Sequence, residues 1–192
     1  YGDVVDGYHS ETDLLKPSNP YSATKAAADQ LVLAWNRTYD LPYIIVRPTN
    51  NYGIGQYVEK LIPKSCKYLK LGKKIPLHNA GTPIRNWLHA GDTAAAIMAI
   101  IESGTKNEIY NISGDYEQAN IDTVQQIIRL SLGAKNGMDY DDHIDLSFDR
   151  QGQDVRYAID DSKLKALGWK PARIFKDELP KIVDYYKENF VW

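Results

Sequence analysis

The run Tyr43-Ile44-Ile45-Val46-Arg47, closed by Pro48, is the strongest constraint on the fold. It is short, apolar and rich in β-branched residues, the pattern of a strand buried on both faces of a parallel sheet. Just before it, residues 20–38 carry Ala26, Ala27, Leu31, Val32, Ala34 and Trp35 at helical spacing. A helix delivering the chain into a buried parallel strand belongs to an α/β architecture.

The rest of the chain alternates in the same way. Strands are predicted at 75–78, 84–88, 108–113 and 144–148. Helices are predicted at 57–69, from a cap at Asp92 to about Ile101, at 121–132, near 160–167 and at 176–189. Residues 6–18 read as a loop, Ser18, Asn19 and Pro20 as a helix start. Residues 79–82 read as a turn and 149–154 as a polar loop. Thr49-Asn50-Asn51-Tyr52-Gly53 follows the buried strand at its carboxyl end, where open α/β sheets bind ligands.

Composition excludes several classes. The 192 residues are 43% hydrophobic and 25% charged, ordinary for a globular protein with a real core. The net charge of −2 supplies no basic field for nucleic acid. No apolar run is long enough to span a bilayer. Cys66 is the only cysteine, so no disulfide forms within the chain, which fits a reducing, cytoplasmic setting. His9, His78, His89 and His143 show no metal-ligand spacing with one another or with Cys66.

Four groups of residues can carry chemistry. Tyr21 and Lys25 are four apart on one predicted helical face. An ammonium near a phenol favours the phenolate, so Tyr21 could titrate below the free value of about 10 and serve as a base for an alcohol proton, or the pair simply marks a helix that buries the ring and exposes the lysine. Asn50 and Asn51 offer donors and acceptors for a sugar hydroxyl or carboxamide, or simply cap the turn. Lys60 can meet a phosphate or remain a solvated charge. Arg85 and Arg150 suit a diphosphate if they converge, or pair with Asp149 or Asp154 instead. No P-loop, Gly-x-Ser-x-Gly or Gly-x-Gly-x-x-Gly is present.

A series of segments in fixed order carries a resemblance. They are Asn19-Pro20-Tyr21-Ser22-Ala23-Thr24-Lys25, Arg47-Pro48-Thr49-Asn50-Asn51-Tyr52-Gly53, Glu59-Lys60-Leu61-Ile62-Pro63, Arg85-Asn86-Trp87-Leu88, Tyr110-Asn111-Ile112-Ser113-Gly114, Arg156-Tyr157-Ala158-Ile159-Asp160 and Leu167-Gly168-Trp169-Lys170-Pro171. Together they resemble extended short-chain dehydrogenase/reductases, and among them the dTDP-glucose 4,6-dehydratase group. The resemblance covers essentially the whole chain.

It implies the carboxyl-terminal part of a Rossmann-type parallel sheet plus a small α/β substrate-binding domain. Residues 1–52 and 84–114 would belong to the NAD-binding part, 53–83 and 115–192 to the nucleotide-sugar part. It implies NAD as cofactor, a nucleotide sugar as substrate and a homodimer in the full-length family. Tyr21 would take the sugar 4-hydroxyl proton, with Lys25 on the nicotinamide ribose and Asn51 near the nicotinamide. Asn50, Lys60, Leu61, Arg85, Asn111 and Arg150 would hold the nucleotide sugar, with Pro76 and His78 near the base.

The departures from the family pattern matter equally. Gln151 and Gln153 stand where Pro and His are usual, and His89-Ala90-Gly91-Asp92 departs from Tyr/His-Val-x-Asp. The glycine-rich phosphate loop and the Thr-Asp-Glu triplet for water loss lie outside these residues. The chain is therefore expected to be a carboxyl-terminal fragment, inactive alone. Related epimerases and decarboxylases are the rival enzymes, although the Glu59 to Pro63 segment argues against them. A binding module without chemistry is the rival of another class. The apolar face on residues 26–35 also predicts self-association.

Overall fold

The computed structural model describes residues 1–133 and 137–189. Helix α1 (Pro20–Tyr39) leads into β1 (Ile44–Pro48) and β2 (Asn50–Tyr52). Helix α2 (Leu61–Lys70), β3 (Ile75–His78), a 3-10 turn (Asn79–Gly81) and β4 (Ile84–His89) follow. Then come α3 (Ala90–Ser103), β5 (Glu108–Ile112), β6 (Glu117–Ala119) and α4 (Asn120–Leu132). The chain closes with β7 (Ile144–Phe148), the single turn α5 (Ser162–Lys165) and α6 (Phe175–Glu188).

The pairing is mostly parallel, as the apolar runs require. β1 pairs with β5 in parallel from Ile44↔Glu108 to Pro48↔Ile112. β2 pairs in parallel with β4, and β3 with β7. β6 adds antiparallel to the other edge of β4, with Arg85 opposite Gln118. The expected α/β class with Rossmann-type parallel pairing is what the chain adopts.

Three buried clusters hold these elements. Leu88, Ala96, Ile100, Tyr110, Ile112, Leu164 and Trp169 join α3 and α5 to β4 and β5. Tyr52 meets Trp87 and Phe175 edge-on, Trp87 stacks on Phe175, and the three pack with residues of α2, α4 and α6 in a second cluster. Ile75, Leu77, Val124, Ile128 and Ile144 pack α4 on the β3–β7 pair.

The structure corrects four local readings. The helix expected from 57 begins at Leu61, which keeps Pro63 in the first turn, where its missing N–H breaks no helical bond. Asp92 does not cap α3. His89 Nδ1 accepts from Gly91 N at 3.0 Å instead, and Asp92, 2% exposed, receives Arg173 Nη1 at 2.6 Å and Arg173 N at 3.0 Å. The helix expected near 160–167 is only Ser162–Lys165. Residues 50–52, where Asn50 and Asn51 could cap a turn, form β2 against β4 instead, and β6 adds a strand that no sequence period marks.

Candidate active site

Asn19 begins the site. Its Oδ1 accepts from Ser22 N at 2.9 Å, capping α1, and Pro20 supplies the first turn. Tyr21 and Lys25 then lie one turn apart on the helix, both exposed, Tyr21 at 69%. Among the described residues neither side chain is engaged by a hydrogen bond or an ion pair.

The first turn of α1 is tied to the loop that carries Arg150. Ser18 Oγ donates to Asp154 Oδ1, and Asn19 Nδ2 donates to Gly152 O at 3.1 Å. That loop is tied in turn to the end of β3, because Arg150 N donates to Asn79 Oδ1 at 2.9 Å. His78, the neighbour of Asn79, sits edge-on to Phe148 with ring centroids 6.1 Å apart. Among the described residues, the Nδ1 of His78 and the Oε1 of Gln153 are buried polar atoms without a hydrogen-bond partner. Pro76 is half-buried on the same strand.

Arg85 is 9% exposed and lies beside the loop. It donates from Nη1 to Ile84 O at 2.7 Å and from Nη2 to Asp154 O at 3.1 Å, with Cζ 4.5 Å from the centre of the Tyr157 ring. Burial pulls its pKa below the ordinary guanidinium value. Tyr157 is pushed up to about 12, first by burial and then by its hydrogen bond to Asp154. Among the described residues neither Arg85 nor Arg150 forms an ion pair with Asp149 or Asp154. The Asp154 charge still acts on Arg85 without a direct ion pair, and the Arg150 side chain is exposed.

On the other side lie β2 and the start of α2. Asn50 is exposed. Asn51 Nδ2 donates to Thr49 O at 3.1 Å, and its Oδ1 accepts from Thr93 Oγ1 at 2.5 Å. One amide hydrogen of Asn51 is left for a ligand. Lys60 pairs with Glu59 at 2.9 Å, and the two side chains are 55% and 64% exposed. Such a solvated pair contributes little to stability. Leu61 opens α2, whose first amides carry the positive end of the helix dipole.

Asn111 differs from its expected surroundings. It is fully buried, at 0% exposure. Its Nδ2 donates to His9 O at 3.1 Å and to Asp160 O at 3.0 Å, and its Oδ1 accepts from Tyr1 Oη at 2.7 Å. The whole carboxamide is committed to the frame, because β5 delivers it under the loop before α1 rather than into the open.

Sequence reasoning missed a second internal brace. Asn86, 3% exposed, donates from Nδ2 to Gly114 O at 2.7 Å and accepts from Gly114 N at 2.7 Å and Thr49 Oγ1 at 2.9 Å. A Cβ at Gly114 would lie 2.0 Å from Trp87 O, so only glycine fits. The signal available was a polar residue, Asn86, inside an otherwise buried strand.

Comparison with known proteins fits this geometry. Low-salt glycan biosynthesis protein Agl12 of Haloferax volcanii is 42% identical over 97% of this chain and 58% of its own length. dTDP-glucose 4,6-dehydratase 1 of Escherichia coli K12 is 42% identical over 95% of this chain and 51% of its own length. The solved structure of DesIV, a dTDP-glucose 4,6-dehydratase from Streptomyces venezuelae with NAD and TYD bound, superposes with a TM-score of 0.90. It is 37% identical, with 98% of this chain and 57% of that chain covered. The chain thus spans little more than half the length of these relatives. Residues 1–182 match the family described as GDP-mannose 4,6 dehydratase, and the chain belongs to that family.

Proposed function

We propose that the protein takes part in NAD-dependent 4,6-dehydration of a nucleotide-diphosphate hexose, converting dTDP-glucose to dTDP-4-keto-6-deoxyglucose. The observation that carries this reading is the pair Tyr21 and Lys25, exposed and unengaged, on a helix whose first turn is hydrogen-bonded to the Arg150 loop. A base for the sugar hydroxyl and cations for the diphosphate then belong to one connected frame.

The residues present fit the nicotinamide end of NAD, since two free polar side chains share one helix face and Asn51 keeps a spare amide hydrogen. NAD, when bound, supplies the hydride acceptor and donor. Tyr21 Oη takes the proton of the sugar 4-hydroxyl. Lys25, one turn further along the same face, holds the ribose. Arg85, Arg150, Lys60 and the Leu61 amide bind the diphosphate side, Asn50 the sugar, and Pro76 and His78 flank the base. Asn111 holds the frame through His9, Asp160 and Tyr1.

Residues 1–52 and 84–114 are assigned to the NAD-facing part and 53–83 and 115–192 to the nucleotide-sugar part. Leu31, Trp35 and Tyr39, exposed at 62%, 53% and 66% on α1, support a homodimer. The lone buried cysteine supports a cytoplasmic setting. No helix among the described residues is long and apolar enough to cross a membrane.

The test is calorimetric titration of the chain with dTDP-glucose, UDP-glucose and NAD separately, followed by turnover of dTDP-glucose in the full protein. Selective binding of the dTDP sugar, with turnover abolished and binding kept in Tyr21→Phe, supports the reading. Equal affinity for UDP-glucose would refute the nucleotide assignment. Binding with no turnover in the full protein would favour a nucleotide-sugar-binding unit, the second reading suggested by the share of the relatives' length that the chain spans.

A further inference from the structure

Helix α1 carries the proposed base, yet none of its 20 residues is buried. An open cleft of about 510 Å³ separates it from the sheet, lined by Ala26, Ala27 and Leu33 on the helix and by Leu15, Arg47 and Ile109 opposite. Interdigitated side chains commonly set a helix's rotation about its axis; here the positions turned toward the sheet, Ala26, Asp29 and Leu33, are half-buried.

Polar contacts tie the helix down at three places. The amino end is held by Ser18 and Asn19, and the carboxyl end by Asn36 Nδ2, which donates to Leu41 O at 2.9 Å and Asn107 Oδ1 at 3.3 Å. Between them stands one ion pair to the sheet: Arg47 Nε on β1 to Asp29 Oδ2 at 2.8 Å, with side-chain exposures of 14% and 22%. It is the only ion pair joining α1 to a strand among the described residues. Arg47 is itself held from behind, donating from Nη1 to Tyr1 Oη at 2.5 Å and to Glu11 O at 3.4 Å.

Asp29 continues the spacing of Tyr21 and Lys25. Successive steps of four residues place the three along one side of the helix, within an arc of about 80° and a length of about 12 Å. The residue clamped to β1 is therefore on the side that carries the chemistry.

We propose that the Asp29–Arg47 ion pair is the pin that sets the rotation of α1, so that both are positioning residues for Tyr21 and Lys25. The proposal rests on the dehydratase reading for the role of Tyr21, but not for the pin itself. A turn of about 20° about the helix axis moves a side-chain tip some 6 Å out by about 2 Å. A misplacement of about 1 Å at a reacting group is enough to lower turnover on the order of 100-fold.

The test compares Asp29→Asn, Asp29→Glu and Arg47→Lys in the full protein by two readouts. Amide hydrogen exchange over residues 20–39 reads the pin without any substrate, with α4 and α6 as internal references. Steady-state kinetics with the nucleotide sugar that the wild type turns over read the aim of Tyr21. The expected result is faster exchange confined to α1 in Asp29→Asn. Its kcat should fall between about 10- and 100-fold, with KM for the nucleotide sugar within about threefold. Asp29→Glu and Arg47→Lys, which keep opposite charges, should recover most of both. Unchanged α1 exchange in Asp29→Asn would overturn the pin, and faster exchange with unchanged kcat would overturn the positioning role. A wild type that turns over no nucleotide sugar would sink the functional reading alone, leaving exchange to decide the pin.

Discussion

Replacing Asn111 by alanine separates two roles that its sequence context leaves joined. The family pattern places Asn111 at the substrate, whereas the structure encloses it completely. Its side chain makes three hydrogen bonds, to His9 O, Asp160 O and Tyr1 Oη. Truncation strands those three partners in a buried place. A buried polar group left unpaired costs roughly 1–3 kcal/mol, and water admitted into the space recovers part of this, so a loss of about 3 kcal/mol is expected. For a chain of this size that lowers Tm by roughly 6–12 °C. Asn111→Asp should be worse, because a carboxylate oxygen would face the carbonyls of His9 and Asp160 without a proton between them. Differential scanning calorimetry of the chain measures both, and titration with dTDP measures ligand affinity at a temperature where each variant is folded. A drop of Tm with affinity kept supports the structural role. An Asn111→Ala variant with wild-type Tm and no dTDP binding would refute this reasoning and return Asn111 to the ligand.

Three further outcomes follow from the same geometry. His89 is held below its ordinary value of 6.5 by burial first and by Arg173 second, and its Nδ1 must be unprotonated to accept from Gly91 N. Its contribution to stability is therefore present above about pH 6.5 and lost as pH falls through the lowered folded value. Tm should fall across that acid range less steeply in His89→Asn, and parallel slopes would count against the cap. Gly114→Ala must move the Trp87 carbonyl, 2.0 Å from the new Cβ, and should lower stability by about 1–3 kcal/mol in urea titration. Cys66 is 5% exposed, and burial pushes its thiol up to about 12. It should therefore resist thiol reagents at pH 8 until the chain unfolds, and prompt modification under native conditions would contradict its placement.

Much of the fold was legible because the elements that form it are locally periodic. Residues 20–38 and 121–132 repeat at helical spacing, and 43–47 forms an apolar strand. All three appear within one or two residues of the expected bounds. Strands β2 and β6 were not legible, since three residues are too few to show a period and each exists by pairing with β4. The start of α2 was misplaced because the helical pattern continues into a turn, while Pro63 decides where the first turn must begin.

Within the site, sequence alone determined the local chemistry. Asn19 and Pro20 start a helix, four-residue spacing puts Tyr21 and Lys25 on one face of it, and Arg85 and Arg150 are two cations from separate segments. These properties depend on covalent structure and nearest neighbours, so they can be read before the chain folds. Only tertiary structure decided what those residues meet. It joined the Arg150 loop to α1, turned Arg85 onto the Asp154 carbonyl rather than its carboxylate, enclosed Asn111 and set Arg47 against Asp29. The physical reason is distance along the chain. Asn111 and Tyr1 are 110 positions apart, and Asn19 and Gly152 are 133 apart. A hydrogen bond or ion pair between such groups is specified by the packing of whole elements between them, which no local pattern records.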